Sequence, residues 1–181
     1  MRAEVVSKVG SMMSWTMVEG RLADGLPMRM YLSAQNGQLW SARMHDEEHP
    51  LDEGEFVAGL DGPVQRQDAK RSSEVLCHAA EQVKHYFGGS LLQFDLPLSL
   101  RGTPFQVRVW RELIAIPFGA TRSYAQIAEV IGQPMACRAV GSANGRNHLP
   151  VIVPCHRVIA ADGKLSGFTW RGRTQKTAAC A

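Results

Sequence analysis

The sequence lacks a hydrophobic run long enough to cross a membrane, because no stretch approaches the roughly 18 consecutive apolar residues that a spanning helix needs. Its first seven residues also lack the apolar stretch of a secretory signal. Cysteine is scarce, and its four positions are Cys77, Cys137, Cys155 and Cys180. Because no two of them form a Cys-x-x-Cys pair, neither a disulfide framework nor a zinc ribbon is indicated. We therefore expect a soluble, cytoplasmic protein.

Acidic residues are few in the second half of the chain. The 181 residues are 45% hydrophobic and 20% charged, which is ordinary for a globular protein. Residues 101–181 contain 11 Lys and Arg but 3 Asp and Glu, whereas residues 1–100 contain 9 and 14. A basic half suits a phosphate-binding surface, and a solvated basic face explains it equally well. Since a turn-rich segment coincides with the change of charge, we divide the chain into domains of residues 1–98 and 99–181.

The first half predicts a small antiparallel sheet with a helix. Hydrophobic residues alternate in three short runs before residue 45, and Asn36-Gly37 between two of the runs is a strong hairpin signal. Residues 45–72 are polar and rich in turn residues, which favours loops. Helical spacing begins after Ser73 and ends at Gly88-Gly89, and the alternation in residues 94–98 suggests a short strand or an extended segment.

The second half predicts three helices. The first runs from Pro104 to Ile116, where Pro117 and Gly119 stop it. The next begins at Ser123, whose spacing to Gln126 is that of a capping box, and ends at Gly132. A third helix is predicted from Gln133-Pro134 to Gly145. Two short helices joined this closely have the proportions of a helix-turn-helix. With the sheet of the first half, the sequence predicts the α+β class, with a C-terminal winged helix-turn-helix-like domain.

Small residues surround one arginine in the third of these helices. Arg138 is followed by Ala139, Val140, Gly141, Ser142 and Ala143. Small side chains let a helix backbone come close to another surface, and tight packing between helices would use them equally well. If the partner is DNA, the small face permits close approach to the duplex while the arginine reaches into it.

Cys155 is the most informative position in the sequence. It follows the β-branched run 151–153 and Pro154, a setting in which a lone cysteine is more often core than reactive. His156 and Arg157 follow directly, and they can lower the pKa of a thiol and supply a base. Adjacent residues on a strand point to opposite faces, so we expect water to carry the proton between Cys155 and His156. Zinc is a weak alternative, because one Cys and one His cannot close a tetrahedral site.

These motifs resemble one protein family. The string Pro-Cys-His-Arg-Val at residues 154–158 is similar to the active site of the O6-alkylguanine-DNA alkyltransferases, also called methylated-DNA-protein-cysteine methyltransferases. The resemblance extends through Asn147, the segment 138–141, Ser123-Tyr124 and the helix around Trp110, and it covers about residues 90–168. The first half fits in outline only, as the variable ribonuclease-H-like domain of such proteins.

The resemblance implies a DNA repair protein that is consumed by its own reaction. Such a protein binds duplex DNA through the minor groove, rotates an O6-alkylguanine out of the stack, and transfers the alkyl group irreversibly to its own cysteine. It needs no metal and no organic cofactor, and we expect it to act as a monomer on double-stranded DNA. O4-alkylthymine is a further substrate to consider. An alternative is a module that binds the lesion without transferring the group, and a cysteine hydrolase is a third and weaker one.

The resemblance also implies roles for individual residues. Cys155 is the nucleophile, His156 the base acting through water, Asn147 a brace for the active-site turn, and Tyr124 a proton donor to the guanine ring that also helps turn the nucleotide out. Arg138 fills the place that the guanine leaves. The implied DNA contacts are Ser123, Tyr124, Arg138, Ala139, Gly141 and Ser142, and the implied pocket residues are Pro150, Val158, Phe168 and Thr169.

One family residue has no counterpart in the sequence. Counting onward from Phe168, the glutamate that holds the active-site histidine in the family would fall just past Ala181, and residues 169–181 contain no acidic residue. Phe168 itself stands where many relatives carry tyrosine. Since such a glutamate orients the imidazole, we expect slower transfer than in complete relatives, and recovery when a glutamate-bearing helix is appended.

Overall fold

The alternating runs of the first half form strands, as the sequence predicts. The computed structural model describes residues 12–21, 25, 27–45, 51–67 and 73–160. Its larger sheet contains β1 (Met13–Arg21), β2 (Pro27–Gln35), β3 (Gln38–His45) and β4 (Val64–Arg66). The strand order is β3-β2-β1-β4, so that β3 and β4 lie at the two edges.

The turn between β2 and β3 fixes the register of this hairpin. Asn36 and Gly37 both have left-handed backbone conformations, with φ of 53° and 70°. Two such residues are characteristic of a type I′ turn, whose twist matches that of the strands it joins. Gln35 therefore pairs with Gln38, and the predicted hairpin is confirmed.

The prediction of loops throughout residues 45–72 is wrong, because helix α1 (Glu53–Ala58) and β4 both lie there. Helix α1 is six residues long and buries one side chain, Phe56, against Trp15 and Tyr31. A single buried position produces no hydrophobic periodicity, so the sequence pattern could not show this helix. Strand β4 runs parallel to β1, which makes the sheet mixed and not wholly antiparallel.

Helix α2 (Glu74–Phe87) covers one face of the sheet. It begins after Ser73 and ends at Gly88, as predicted. Of the two alternatives predicted for residues 94–98, a short strand or an extended segment, the strand does not form, because the structure has only a single bridge there, between Leu98 and Leu39. One bridge is too little to form a ladder, and the rest of this segment is extended chain leading to the second half.

The edge strand β3 is covered by chain from outside the sheet. The Leu39 N–H donates to the carbonyl of Pro97 at 2.8 Å, and the Leu39 carbonyl accepts from the Ser99 N–H at 2.9 Å. Further along the strand, the Ala42 N–H donates to the carbonyl of His148 at 2.9 Å. Backbone hydrogen bonds therefore tie this edge of the sheet both to the connecting segment and to the loop before Cys155.

The described part of the second half contains the helices α3 (Pro104–Ile114), α4 (Tyr124–Val130) and α5 (Cys137–Gly145). The capping box is confirmed, with Ser123 and Gln126 exchanging hydrogen bonds at the start of α4. The predicted start of the next helix is wrong: Gln133-Pro134 lie in a turn closed by the Ala136 N–H and the Gln133 carbonyl at 2.9 Å. Helices α4 and α5 pack against each other as a helix-turn-helix.

One hydrophobic cluster extends through the sheet, α2 and the three later helices. It includes Leu32 and Leu76 from the first half, and Trp110, Ile127 and Val140 from the second. The α+β class is confirmed, with the sheet and α2 on one side and the helix-turn-helix on the other. The division at residue 98 and the ribonuclease-H-like description stay predictions. In the part of the chain that the structure describes, no helix is both long and apolar enough to cross a membrane.

A histidine between the two halves should make stability depend on pH. Burial lowers the pKa of His148 from its ordinary 6.5, the hydrogen bond to the Ser99 carbonyl raises it, and Arg101 lowers it, with a net decrease. The unfolded chain therefore binds this proton more readily than the folded chain. The contribution of His148 to the free energy of unfolding is complete above pH 6.5 and is lost as the pH falls below that value.

We expect the variant His148→Gln to weaken this dependence, because glutamine can donate to the Ser99 carbonyl without titrating. The measurement is urea unfolding of both proteins between about pH 7 and pH 5. The difference in free energy of unfolding between them should shrink as the pH falls. A constant difference across this range would show that His148 does not carry the effect.

Candidate active site around a buried cysteine

Cys155 opens a short 3₁₀ turn (Cys155–Arg157), so the strand geometry assumed for Cys155 and His156 is not present. Val151 has a φ of 74°, which breaks the β-branched run into a tight turn. A β-branched residue in this conformation costs on the order of 1–3 kcal/mol, and such strain persists only where the surroundings hold it. The turn leaves the Cys155 side chain buried, at 2% exposure.

Asn147 holds this turn in place. Its Nδ2 donates to the Val153 carbonyl at 2.8 Å, and its Oδ1 accepts from the Leu149 N–H at 2.9 Å. The Val153 N–H also donates to the Leu149 carbonyl at 2.8 Å. One side chain therefore clamps both sides of the strained turn before Cys155, which is where a bracing role requires it to be.

His156 and Arg157 are buried beside the cysteine, each with 6% exposure. The Nε2 of His156 lies 3.5 Å from the hydroxyl of Tyr86 in α2. Arg157 donates through Nη1 to the Ile116 carbonyl at 2.7 Å and through Nη2 to the Tyr86 hydroxyl at 3.4 Å. The turn thus holds a buried imidazole and a permanent positive charge at the two positions that follow the buried cysteine.

Tyr124 is placed near the cysteine by a second, two-stranded sheet. Strand β5 (Arg122–Ser123) pairs in parallel with β6 (Val158–Ile159), which joins the start of α4 to the end of the cysteine turn. Burial raises the pKa of the Tyr124 hydroxyl above its ordinary 10.0, a hydrogen bond with Asn144 opposes the rise, and the charge of Cys155 adds to it. The hydroxyl therefore stays protonated at neutral pH, as a proton donor must.

Helix α5 divides its side chains between the core and solvent. Arg138, Ala139 and Ser142 are exposed, while Val140 is buried. A Cβ added at Gly141 would stand 3.8 Å from the Tyr124 ring, so this position fits closely against the tyrosine. The exposed face combines one long cation with small residues, which is the arrangement that close approach to a duplex needs.

Asn144 is a site residue that the sequence analysis missed. It is 1% exposed, its Nδ2 donates to the Cys155 carbonyl at 3.3 Å, and it shares a hydrogen bond with Tyr124. Its Oδ1 is buried and has no hydrogen-bond partner among the residues that the structure describes. The sequence signal that could have identified Asn144 is its position directly after the apolar Ala143, on the side of α5 that faces the core.

Of the four expected pocket residues, two can be located. Pro150 and Val158 are both buried, on either side of the cysteine turn in the chain. Phe168 and Thr169 lie outside the described residues. The structure thus brings together Cys155, His156, Asn147, Tyr124, Pro150 and Val158, and places Arg138, Ala139 and Ser142 on the exposed face of α5. The roles assigned to all of these residues stay predictions.

Metal binding has no support among the residues that the structure describes. In those ranges no group of three or more His, Cys, Asp or Glu is placed to hold a metal ion.

The architecture is that of an α+β protein in which a buried Cys-His pair lies in a short turn that follows a helix-turn-helix. Residues 104–180 match the family described as 6-O-methylguanine DNA methyltransferase, DNA binding domain. The chain is 59% identical over 90 residues to the methylated-DNA-protein-cysteine methyltransferase of Mycobacterium tuberculosis, a match that covers 50% of this chain and 54% of that protein. The chain thus spans about half the length of the relatives of this kind that it matches.

A longer match reaches into the first half of the chain. The constitutive methylated-DNA-protein-cysteine methyltransferase of Bacillus subtilis is 40% identical over 140 residues, covering 77% of this chain and 72% of that protein. The crystal structure of Mycobacterium tuberculosis OGT in complex with DNA has a TM-score of 0.68 and 37% identity, covering 86% of this chain and 83% of that one. The chain belongs to the methylated-DNA-protein-cysteine methyltransferase family, and the resemblance stated from its motifs is confirmed.

Proposed function

We propose that this protein repairs duplex DNA by transferring the alkyl group of O6-alkylguanine irreversibly to the sulfur of Cys155. The observation that carries the proposal is the burial of this thiol in one turn with His156, beside Tyr124 at the start of the helix-turn-helix. The relatives from Mycobacterium tuberculosis and Bacillus subtilis are named methylated-DNA-protein-cysteine methyltransferases. These names favour transfer over the alternative, a module that binds the lesion without transferring the group.

Helix α5 is proposed as the element that contacts the DNA. Its exposed face offers Arg138 among the small residues Ala139, Gly141 and Ser142, and Ser123 lies at the start of the neighbouring helix. Small side chains allow the helix to approach the minor groove, and the guanidinium fills the space that an extruded base leaves. The solved relative in complex with DNA supports DNA as the partner.

The chemistry follows from the residues around the thiol. The proton of Cys155 passes through water to His156, and the thiolate attacks the alkyl carbon of the lesion. The new S–C bond forms as the C–O6 bond breaks, and the bonding electron pair stays with the guanine. The hydroxyl of Tyr124 donates a proton to the guanine ring, so the base leaves neutral, and solvent returns the proton to the tyrosine.

The reaction is stoichiometric and needs no cofactor in this proposal. An alkyl carbon on oxygen is a soft electrophile for which a thiolate is a suitable nucleophile, and the thioether product is a very poor leaving group. Each protein molecule therefore repairs one lesion. Because the thiol must stay reduced, we propose a cytoplasmic location, and since every acting residue lies in one chain, a monomer suffices.

The proposal is tested by intact-protein mass spectrometry after mixing the protein with a short duplex that contains one O6-methylguanine. We expect the mass to increase by one CH₂ group, on the peptide that contains Cys155. The unmodified duplex and the variant Cys155→Ala are the controls, and neither should give an increase. No increase with the lesion duplex, while the protein still prefers it to the unmodified duplex, would instead identify a module that only binds.

A further inference from the structure

Asn144 of α5 contacts both Tyr124 and the cysteine turn. Its Nδ2 donates to the Cys155 carbonyl at 3.3 Å, and its side chain shares a hydrogen bond with the Tyr124 hydroxyl. The residue is 1% exposed. An amide buried this deeply does not touch a bound duplex, so any part that it plays in the reaction passes through these two neighbours.

Tyr124 lies along the face of α5 that carries Asn144. Gly141 fits against the tyrosine ring, where an added Cβ would stand at 3.8 Å. Residues three apart in a helix lie on the same face about one turn from each other, so Gly141 and Asn144 meet the same neighbour. Two positions of α5 therefore fix the tyrosine, one at its ring and one at its hydroxyl.

The atoms of the Asn144 amide decide which group donates in these bonds. A backbone carbonyl only accepts, so the atom that faces the Cys155 carbonyl is the amide nitrogen. The Oδ1 is buried and has no hydrogen-bond partner within the described ranges, so the Tyr124 hydroxyl does not donate to it. The bond with Tyr124 therefore comes from Nδ2, which has two hydrogens and can serve both neighbours. The Tyr124 oxygen is the acceptor.

A donor to the Tyr124 oxygen makes this phenol a stronger acid. Burial and the charge of Cys155 raise the pKa of Tyr124, and the bond from Asn144 opposes the rise because it favours the charged form. This bond uses a lone pair of the oxygen and not the hydroxyl hydrogen, so it does not compete with proton donation. As negative charge grows on the oxygen, the bond becomes charge-assisted and stronger. Its effect is therefore larger in the transition state than before the reaction.

We propose that Asn144 is a positioning residue that activates Tyr124 as the acid of the alkyl transfer. The thiolate takes the alkyl group, the C–O6 electron pair stays with the guanine, and the Tyr124 proton moves to the guanine ring. The Asn144 N–H stabilises the phenolate that forms, until solvent returns a proton to it. The other N–H holds the Cys155 carbonyl, so that one amide keeps the acid and the turn of the nucleophile together. The inference rests on the proposed function, since Tyr124 acts as an acid only in that reaction.

The first test measures the pKa of the Tyr124 phenol with and without the amide. Asn144→Leu removes both N–H groups and keeps a branched side chain, and Asn144→Ala is a second, smaller variant. The chain has three tyrosines, so labelling with 3-fluorotyrosine gives three ¹⁹F signals, of which the Tyr124 signal is the one lost in Tyr124→Phe. Fluorine lowers the pKa of a phenol, which keeps the titration clear of alkaline unfolding. We expect the titration midpoint of Tyr124 to rise in both Asn144 variants.

The second test is a double-mutant cycle on the single-turnover rate of methyl transfer from a saturating O6-methylguanine duplex. We expect Asn144→Leu to lower this rate by on the order of tenfold, the usual effect of losing one hydrogen bond to a developing charge, and to leave the affinity for the duplex unchanged. In a Tyr124→Phe background the same substitution should slow transfer far less, because the oxygen on which it acts is gone. A merely structural role would slow transfer equally in both backgrounds.

Gln82→Leu is the matched control for the loss of a buried amide. Gln82 lies in α2, and its side chain exchanges two hydrogen bonds with the backbone of Asp95, each at 2.8 Å. Neither bond involves the cysteine turn or α5. The substitution should lower the free energy of unfolding, and it should change neither the Tyr124 midpoint nor the transfer rate per folded molecule.

An unchanged Tyr124 midpoint in both Asn144 variants would overturn the proposal, and so would equal slowing of transfer with and without the Tyr124 hydroxyl. A lower melting temperature of Asn144→Leu with both readouts unchanged leads to the same conclusion, because it leaves the amide with packing alone. If the wild-type protein transfers no methyl group, the proposed function fails, and the ¹⁹F titration still decides whether Asn144 donates to Tyr124.

Discussion

Replacing Asn147 with alanine is expected to lower the rate of alkyl transfer by about 100-fold or more, since a displacement of about 1 Å at a reacting group costs on this order. The Asn147 side chain makes the two hydrogen bonds that clamp the turn between Leu149 and Val153. Without it the left-handed backbone at Val151 loses its support, and the Cys155 sulfur moves away from Tyr124. The buried Leu149 N–H also loses its partner, at about 1–3 kcal/mol, and the Val153 carbonyl keeps only the Cys155 N–H at 2.8 Å.

The measurement pairs single-turnover transfer with urea unfolding, so that rate and stability are separated. Asn147→Asp is the graded variant, because it keeps the acceptor for the Leu149 N–H and loses the donor to the Val153 carbonyl. We expect its rate to fall between those of the wild-type protein and Asn147→Ala. Transfer by Asn147→Ala at the wild-type rate would show that the turn holds its shape without the clamp.

Replacing Trp110 with alanine is expected to lower the free energy of unfolding by about 3–5 kcal/mol, the usual cost of removing a buried tryptophan. Trp110 is 2% exposed, its Nε1 donates to the Ala143 carbonyl at 2.9 Å, and its ring meets His148 edge-on at 5.1 Å. It therefore joins α3 to α5 and to the loop before Cys155. Removing it leaves a cavity at the end of the proposed DNA-contacting helix, where the Ala143 carbonyl keeps only the Arg146 N–H at 3.2 Å.

Trp40→Ala is the matched control for this prediction. Trp40 is only half-buried, and its main contact is the guanidinium of Arg101 at 3.6 Å from the ring centroid. An exposed pair of this kind contributes about 0.5–1 kcal/mol, so the control should unfold at nearly the wild-type urea concentration. Equal losses in the two variants would show that Trp110 has no special place in the core.

The features that the sequence predicted correctly are those decided within a few residues. The Asn36-Gly37 turn, the Ser123 capping box and the helix ended by Gly88 each depend on local backbone preferences. The Cys-His pair was also readable, because its residues are adjacent. Such signals are present in the chain whatever surrounds it in the folded protein.

The features that the sequence did not predict depend on contacts between distant segments. The turn at Val151 contradicts the strand preference of a β-branched residue, and it is held from outside by Asn147. Tyr86 looks like one more apolar position of α2 until its hydroxyl is found beside His156. Asn144 looks like one of a group of small residues until its amide is found on the Cys155 carbonyl. Local pattern carries no information about such partners.

The covered edge of the sheet has a consequence for how the chain can be divided. An edge strand with open N–H and C=O groups is a template for pairing with another molecule, and proteins with such edges tend to aggregate. Here the groups of Leu39 and Ala42 are occupied by Pro97, Ser99 and His148. A fragment that ends at residue 98 would keep the bond to Pro97 but would expose the Leu39 carbonyl and the Ala42 N–H, so the loop before Cys155 also protects the sheet from self-association.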